Sequence, residues 1–250
     1  RSTLFPYTTL FRSGGFGEAL AEELLAPMDA LFSRYQAALA RWPQMLDGEE
    51  EIRFQALVDG QALELADWLG GIRLDGAGQR GRVVLESSDL VSNNHYRGDR
   101  LIRHWVRHLA LHVAGGPLTT LVLSKVGDVE LPALDPAQAE SHLNALLAAW
   151  QRGMREPLPL AARTAFDFLK AGPDKARETY EGSSWQPSGE RQTDAYLLRA
   201  FRDFAALTAS GEFKTLAERL LRPLLEAIPA KARGETANGA QAGKAAGASA

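Results

Sequence analysis

The stretch from Leu63 to Leu111 restricts the fold most. It runs through ELADWLGGIRLD, the Gly-rich GAGQRG, RVVLESSD and a polar loop into RGDRLIRHWVRHLALHVAG. The first part reads as two short strands joined by a Gly-rich turn. The last part reads as a helix from about Arg97 to Val113. Leu101, Trp105, Leu109 and Val113 step by four residues, with Ile102 beside them, and form one apolar stripe. Gly115-Gly116-Pro117 stops it. A long amphipathic helix fed by strands must lay its stripe on a sheet, which places the chain in the α/β (α+β) class.

The flanking segments extend this pattern. Residues 17–46 carry Leu20, Leu24, Met28, Leu31, Tyr35 and Leu39 at helical spacing, with a break or kink expected at Pro27. Asp47–Glu51 is an acidic loop. Strands are expected at Ile52–Leu57, at Leu63–Leu65 leading into Trp68–Leu74, and at Arg82–Leu85. An antiparallel meander is their simplest arrangement. Strands Thr119–Lys125 and Val129–Leu131 follow, with a type II′ turn expected at Gly127-Asp128. Asp135-Pro136 reads as an N-cap with Pro at the first helical position. The helix beyond it runs to about Met154, with Leu143, Leu146, Leu147 and Trp150 as its core face. The last third reads as helices at 160–170, 174–181, 191–207 and 213–228, with a kink expected at Pro223.

Composition excludes some chemistry. The 250 residues contain no Cys, so disulfides, thiolate metal sites and Cys nucleophiles are ruled out. A net charge of −3 offers no global basic field, so nucleic-acid contact would need a local patch. No apolar run reaches membrane-spanning length. The chain lacks an initiator Met and is expected to be a fragment. Its first thirteen residues, RSTLFPYTTLFRS, resemble a translated sequencing adapter and are set aside as non-native. Residues 230–250 are Ala/Gly-rich and are expected to be disordered.

Several constellations could carry chemistry. Metal-dependent nucleases of the PD-(D/E)xK pattern place an Asp on one strand and Asp/Glu-x-Lys on the next, followed by a helix bearing Gln and Tyr. The carboxylates hold Mg²⁺ and the Lys assists the attacking water. On that frame Glu86 takes the second carboxylate position, Arg73 the first, and Ser88 the Lys position. Arg103 and Arg107 fall near the helix Gln and Tyr. Arg73 would repel the metal and Ser88 supplies no cation, so the frame is degenerate unless Asp75 or Asp89 substitutes. His104, His108 and His112 share one helix face at a spacing that can bind zinc. The Glu of the metalloprotease motif is missing, so packing or rim histidines are the preferred account. Arg97, Arg100, Arg103 and Arg107 form a basic face suited to ion pairs with a partner or to a phosphate backbone. Trp150, Tyr180, Trp185, Tyr196 and Phe201 could stack on bases, although such spacing more often marks core. Phosphate-loop, GxSxG and placed GxGxxG motifs are absent.

Taken in order, LIRHWVRHLALHVAGG, LVLSKVGDVELPAL, AAWQRGMREPLPL and KARETYEG resemble the carboxy-terminal domain of the RecC family, the gamma subunit of exodeoxyribonuclease V. The resemblance covers about Glu51 to Ile228. It implies a PD-(D/E)xK nuclease-like core, a mixed or antiparallel sheet flanked by helices with a helical C-terminal part, and no nuclease activity. The implied boundaries are a helical lead-in at 14–50 and the nuclease-like domain at 51–229. The implied partners are the RecB and RecD subunits and DNA, with ATP and Mg²⁺ held by those subunits and none in this chain. The implied setting is the bacterial cytoplasm, with no membrane. The loop 182–192 is a candidate partner-facing segment. Two rivals remain: an active nuclease using Glu86, and a protein-interaction module that never touches DNA.

Overall fold

The computed structural model describes residues 15–58, 60–185 and 187–229. The segments 1–13 and 230–250 lie outside the described residues. A helix, α1 (Gly15–Arg41), leads into strands β1 (Gln44–Met45), β2 (Glu50–Val58), β3 (Gln61–Leu69), β4 (Ile72–Leu74) and β5 (Arg80–Glu86). The short pair β6 (Val91–Ser92) and β7 (His95–Tyr96) precedes α2 (Gly98–Gly115). Then come β8 (Leu118–Ser124), β9 (Asp128–Leu131) and α3 (Pro136–Gly153).

The main sheet is mixed, with strand order β1-β4-β5-β8-β9. β5 and β8 are parallel, from Arg80↔Leu118 to Glu86↔Ser124. Parallel neighbours need a crossover, and α2 supplies it. The expected meander is therefore replaced by two units. β2 and β3 form a separate antiparallel ribbon, paired from Glu50↔Leu69 to Val58↔Gln61. Gly71, at φ 78, breaks the run between β3 and β4, a backbone setting that suits glycine.

Each strand of the main sheet presents alternate residues to alternate layers. Val83, Leu121 and Leu123 meet Leu31, Tyr35 and Ala38 of α1 on one face. Val122, Val129 and Leu131 meet Leu101, Trp105 and Leu109 of α2 on the other. The ribbon closes the far side of α2 with Ile52, Phe54, Ala56 and Val58, all buried. Gly81 marks the tightest approach: a Cβ there would sit 2.3 Å from the Trp42 ring.

Several local expectations meet a competing interaction. α1 continues through Pro27 without a break. Asp128 belongs to β9, because the Ser124 hydroxyl donates to the carbonyls of Val126 and Gly127 and closes a longer turn. Asp135 caps α3 by accepting from the Ala137 and Gln138 amides, with Pro136 next, as expected. Trp150 is 58% exposed and leaves the core face that Leu143 anchors.

Beyond α3 lie α4 (Ala162–Ala171), α5 (Pro173–Glu181), α6 (Glu190–Thr193), α7 (Ala195–Ala200), α8 (Phe204–Thr208), α9 (Glu212–Leu216) and α10 (Arg222–Ala227). The single helix expected at 191–207 is three pieces. Asp194 and Asp203 each cap a new start with a side-chain oxygen, which competes with helix continuation. Ahead of Pro223 the backbone widens into a π-helical turn at Ala217–Leu221, so the irregularity expected there is present.

Candidate functional site

Glu86 ends β5 on the α2 side of the sheet and is 4% exposed. Its Oε1 accepts from the Ser88 amide at 2.9 Å. Its Oε2 accepts from the Arg103 guanidinium and from His104 Nε2, the latter at 2.8 Å. Burial alone would push this carboxyl up, but the Ser88 amide, His104 and Arg103 outweigh it and hold it at about 2. Arg100 Nη1 reaches the Ser88 hydroxyl at 3.4 Å. The structure therefore brings Glu86, Ser88, Arg100, Arg103 and His104 together.

Arg73 is not part of this group. It pairs with Gly81 across β4 and β5, and so shares the face that Trp42 covers. Its Nε donates to the Trp42 carbonyl at 2.5 Å and its Nη2 to the Pro43 carbonyl at 2.9 Å. Glu86 lies five residues along β5 from Gly81, and an odd step turns it to the opposite face. The register that set Arg73 opposite Glu86 does not hold. Arg80 and Arg82 are the β5 arginines on the Glu86 face, and Arg82 is the nearer in sequence. It donates to the Gly70 carbonyl at 3.1 Å, and burial, then Arg107, depresses its guanidinium. Asp75 is committed to its turn, where Oδ1 accepts from the Ala77 and Gln79 amides. Asp89 is exposed in the following loop.

The three α2 histidines are buried at 2%, 0% and 1% exposure for His104, His108 and His112. Each lies three residues after a member of the apolar stripe, about 60° around the helix, so together they widen it. Their partners fix their tautomers. His108 Nε2 donates to the Pro132 carbonyl at 3.1 Å, while Nδ1 accepts from the Thr120 hydroxyl at 2.9 Å. His112 Nδ1 donates to the His108 carbonyl at 2.8 Å, and its Nε2 accepts from the Leu134 amide at 2.9 Å. Burial is the main force lowering all three, with His108 brought down to about 3 by burial and by His112. His108 and His112 are neutral struts between α2, β8 and the β9–α3 connection, while His104 ties α2 to the end of β5. Among the described residues no group of three or more His, Cys, Asp or Glu is placed to hold a metal ion. The sequence signal for the struts was the i, i+4 spacing beside the stripe. Their partners Thr120, Pro132 and Leu134 carry no motif.

Arg100, Arg103 and Arg107 are exposed along α2, with the half-buried Arg97 just ahead of it, and most are engaged. Asp99 lies 3.9 Å from Arg97 and 3.8 Å from Arg100, and Arg103 holds Glu86. Arg107 is exposed and has no carboxylate partner among the described residues. The aromatic candidates divide: Tyr180 is fully buried, whereas Trp150, Trp185 and Tyr196 are exposed. Trp185 follows α5 in the irregular 182–185 segment.

No curated protein matches this chain. A solved structure described as "Crystal structure of SSO0001" matches with 13% identity and a TM-score of 0.32, covering 63% of this chain and 74% of that one, a likeness too low to argue from. The model of a family described as the RecC C-terminal domain matches residues 11–173, which takes in α1, the whole sheet, α2, α3 and α4. With more than half of its length matched, the chain belongs to the RecC C-terminal domain family.

Proposed function

We propose that this domain is a non-catalytic scaffold and DNA-handling part of the RecBCD helicase–nuclease, which prepares broken duplexes for recombinational repair. RecB and RecD are its proposed partners. ATP hydrolysis, Mg²⁺ and strand cleavage belong to those subunits, and the complex works in the bacterial cytoplasm. The working boundaries are a lead-in at 14–50 and the domain at 51–229. Membership of the RecC C-terminal family supports the role in DNA processing.

One observation carries the non-catalytic reading. The carboxylate best placed to bind a metal, Glu86, spends both oxygens on Ser88, Arg103 and His104. A hard divalent cation needs several free oxygens converging on one point. Here the cation position is taken by a guanidinium. Glu86 then serves as packing at the end of β5, and α2 offers an arginine-lined surface.

The test is a cleavage assay on single- and double-stranded DNA with Mg²⁺ or Mn²⁺ added to the purified subunit. No cleavage is expected. Metal-dependent cleavage lost in Glu86→Ala would replace this reading with an active nuclease. The DNA-handling part is tested in the assembled complex with Arg107→Ala. If Arg107 meets a phosphate, the slope of log affinity against log salt falls by about 1. An unchanged slope leaves a protein-interaction module.

A further inference from the structure

The C-terminal end of α3 carries a surface that the core does not use. Trp150 is 58% exposed and Met154 is 70% exposed, one turn apart on the same side of the helix. Met154 and Tyr196 of α7, which is 86% exposed, line one cleft of about 570 Å³. Arg155 and Arg199 line the same cleft. Arg155 donates to the neutral Gln61 amide oxygen at 2.6 Å, and neither arginine has a carboxylate partner among the described residues. The acids nearby are already taken. Glu156, also in the cleft, pairs with Arg152, and Arg152 in turn holds Glu212.

Leaving Trp, Met and Tyr side chains in water forgoes the hydrophobic gain of covering them. Trp, Tyr, Met and Arg are the residues enriched at protein–protein hot spots. Two guanidiniums without counter-charge call for carboxylates from outside. A nucleic-acid strand fits less well. It needs a continuous basic track, and Glu156 lines this cleft between only two cations.

We propose that the Trp150–Met154–Tyr196 surface docks an acidic segment of a partner protein. An apolar side chain of that segment enters the cleft, and its carboxylates pair with Arg155 and Arg199. The proposal rests on the scaffold reading and names a surface through which the scaffold holds a partner.

The test uses the full chain with purified RecB and RecD as probes. A photo-crosslinking benzoylphenylalanine replaces Tyr196, and binding is compared for wild type, Tyr196→Ser and Arg199→Glu. Both positions are solvent-facing, so unchanged thermal unfolding is expected for each, and Arg199→Glu stands alone if Tyr196→Ser unfolds. A crosslink to an Asp/Glu-bearing segment of either subunit is expected. So is a loss of affinity on the order of 30-fold for Tyr196→Ser. Arg199→Glu should also weaken binding and remove its salt sensitivity. Wild-type affinity in both variants, or a crosslink that stays within the chain, overturns the proposal while the scaffold reading stands. So does a tenfold loss of affinity for a thirty-residue oligo-dT with subunit binding intact, which would assign the surface to a strand. Failure of the wild-type chain to bind either subunit overturns the scaffold reading and this inference with it.

Discussion

The two faces of the main sheet hold their charge pairs under opposite conditions. On the α1 face, Arg34 meets Asp128 at 2.8 Å and Arg41 meets Glu130 at 2.7 Å, with all four side chains at least a quarter exposed. On the α2 face, the Glu86 side chain is 2% exposed and His104 is 2% exposed. Water can replace a lost partner on the first face and cannot do so on the second. A buried charge gains little net stability from its partners yet costs several kcal/mol once one is removed. The sheet therefore carries forgiving charge pairs on its α1 face and an unforgiving one, at the end of β5, on its α2 face.

The sharpest way to break this contrast is Glu86→Ala. It orphans the buried His104 Nε2–H and the half-buried Ser88 amide, while Arg103, 56% exposed, can turn outward. Two unmet donors and a cavity should lower stability by about 3–5 kcal/mol, read as the shift in urea midpoint. A loss below about 1 kcal/mol would show that the α2 face behaves like the α1 face. Acid should reproduce part of the same loss in the wild type. Glu86 sits at about 2 in the fold against 4.5 for the free group, so its contribution is present above pH 4.5 and is lost as pH falls towards 2.

A second, smaller effect comes from the histidines at higher pH. His108 is lowered from 6.5 to about 3, by burial and by His112 at a ring distance of 4.3 Å. The unfolded chain therefore binds a proton that the fold refuses between pH 6.5 and pH 3. Stability attributable to His108 is complete above pH 6.5 and declines as pH falls towards 3. Between pH 6.5 and 4.5 this is about 2 kcal/mol. His108→Gln can keep a donor to Pro132 and an acceptor for Thr120 without titrating. Its stability should be flatter over that window by this amount. Equal slopes in variant and wild type would mean that His108 is not held neutral by the fold.

Much of this architecture is legible in the sequence. Apolar periodicity placed α2 and α3, and Gly115-Gly116-Pro117 and Asp135-Pro136 marked their ends, because these signals act within a few residues. Strand partnership was not readable in that way. Nothing local in RVVLES tells β5 to pair in parallel with LTTLVLS more than thirty residues later, nor that QALELADWL would leave the sheet and form a ribbon. The site divided along the same line. Glu86 and Ser88 are neighbours in sequence, and α2 presents Arg100, Arg103 and His104 at helical spacing, so they meet. Arg73 was misplaced because its face depends on the one-residue register of β4 against β5, and a single step turns every side chain over. The buried histidines could be seen as a stripe, but their partners Thr120, Pro132 and Leu134 lie on other elements and depend on the finished packing.

The weakest expected effect tests the other half of the comparison. Arg41 approaches Glu130 with two nitrogens, at 2.7 and 3.2 Å, a fork geometry that would be strong if desolvated. Its side chain is 50% exposed and that of Glu130 is 44% exposed. The guanidinium also lies 4.2 Å from the Trp42 ring centre, so Arg41→Ala removes a stacking contact as well as an ion pair. The pair energy therefore has to come from a double-mutant cycle with Glu130→Ala, in which the stacking cancels. The coupling should be no more than about 1 kcal/mol, and it should shrink in 1 M salt. A coupling of several kcal/mol that survives salt would place a buried-type charge pair on the α1 face, and the distinction between the two faces of the sheet would fail there.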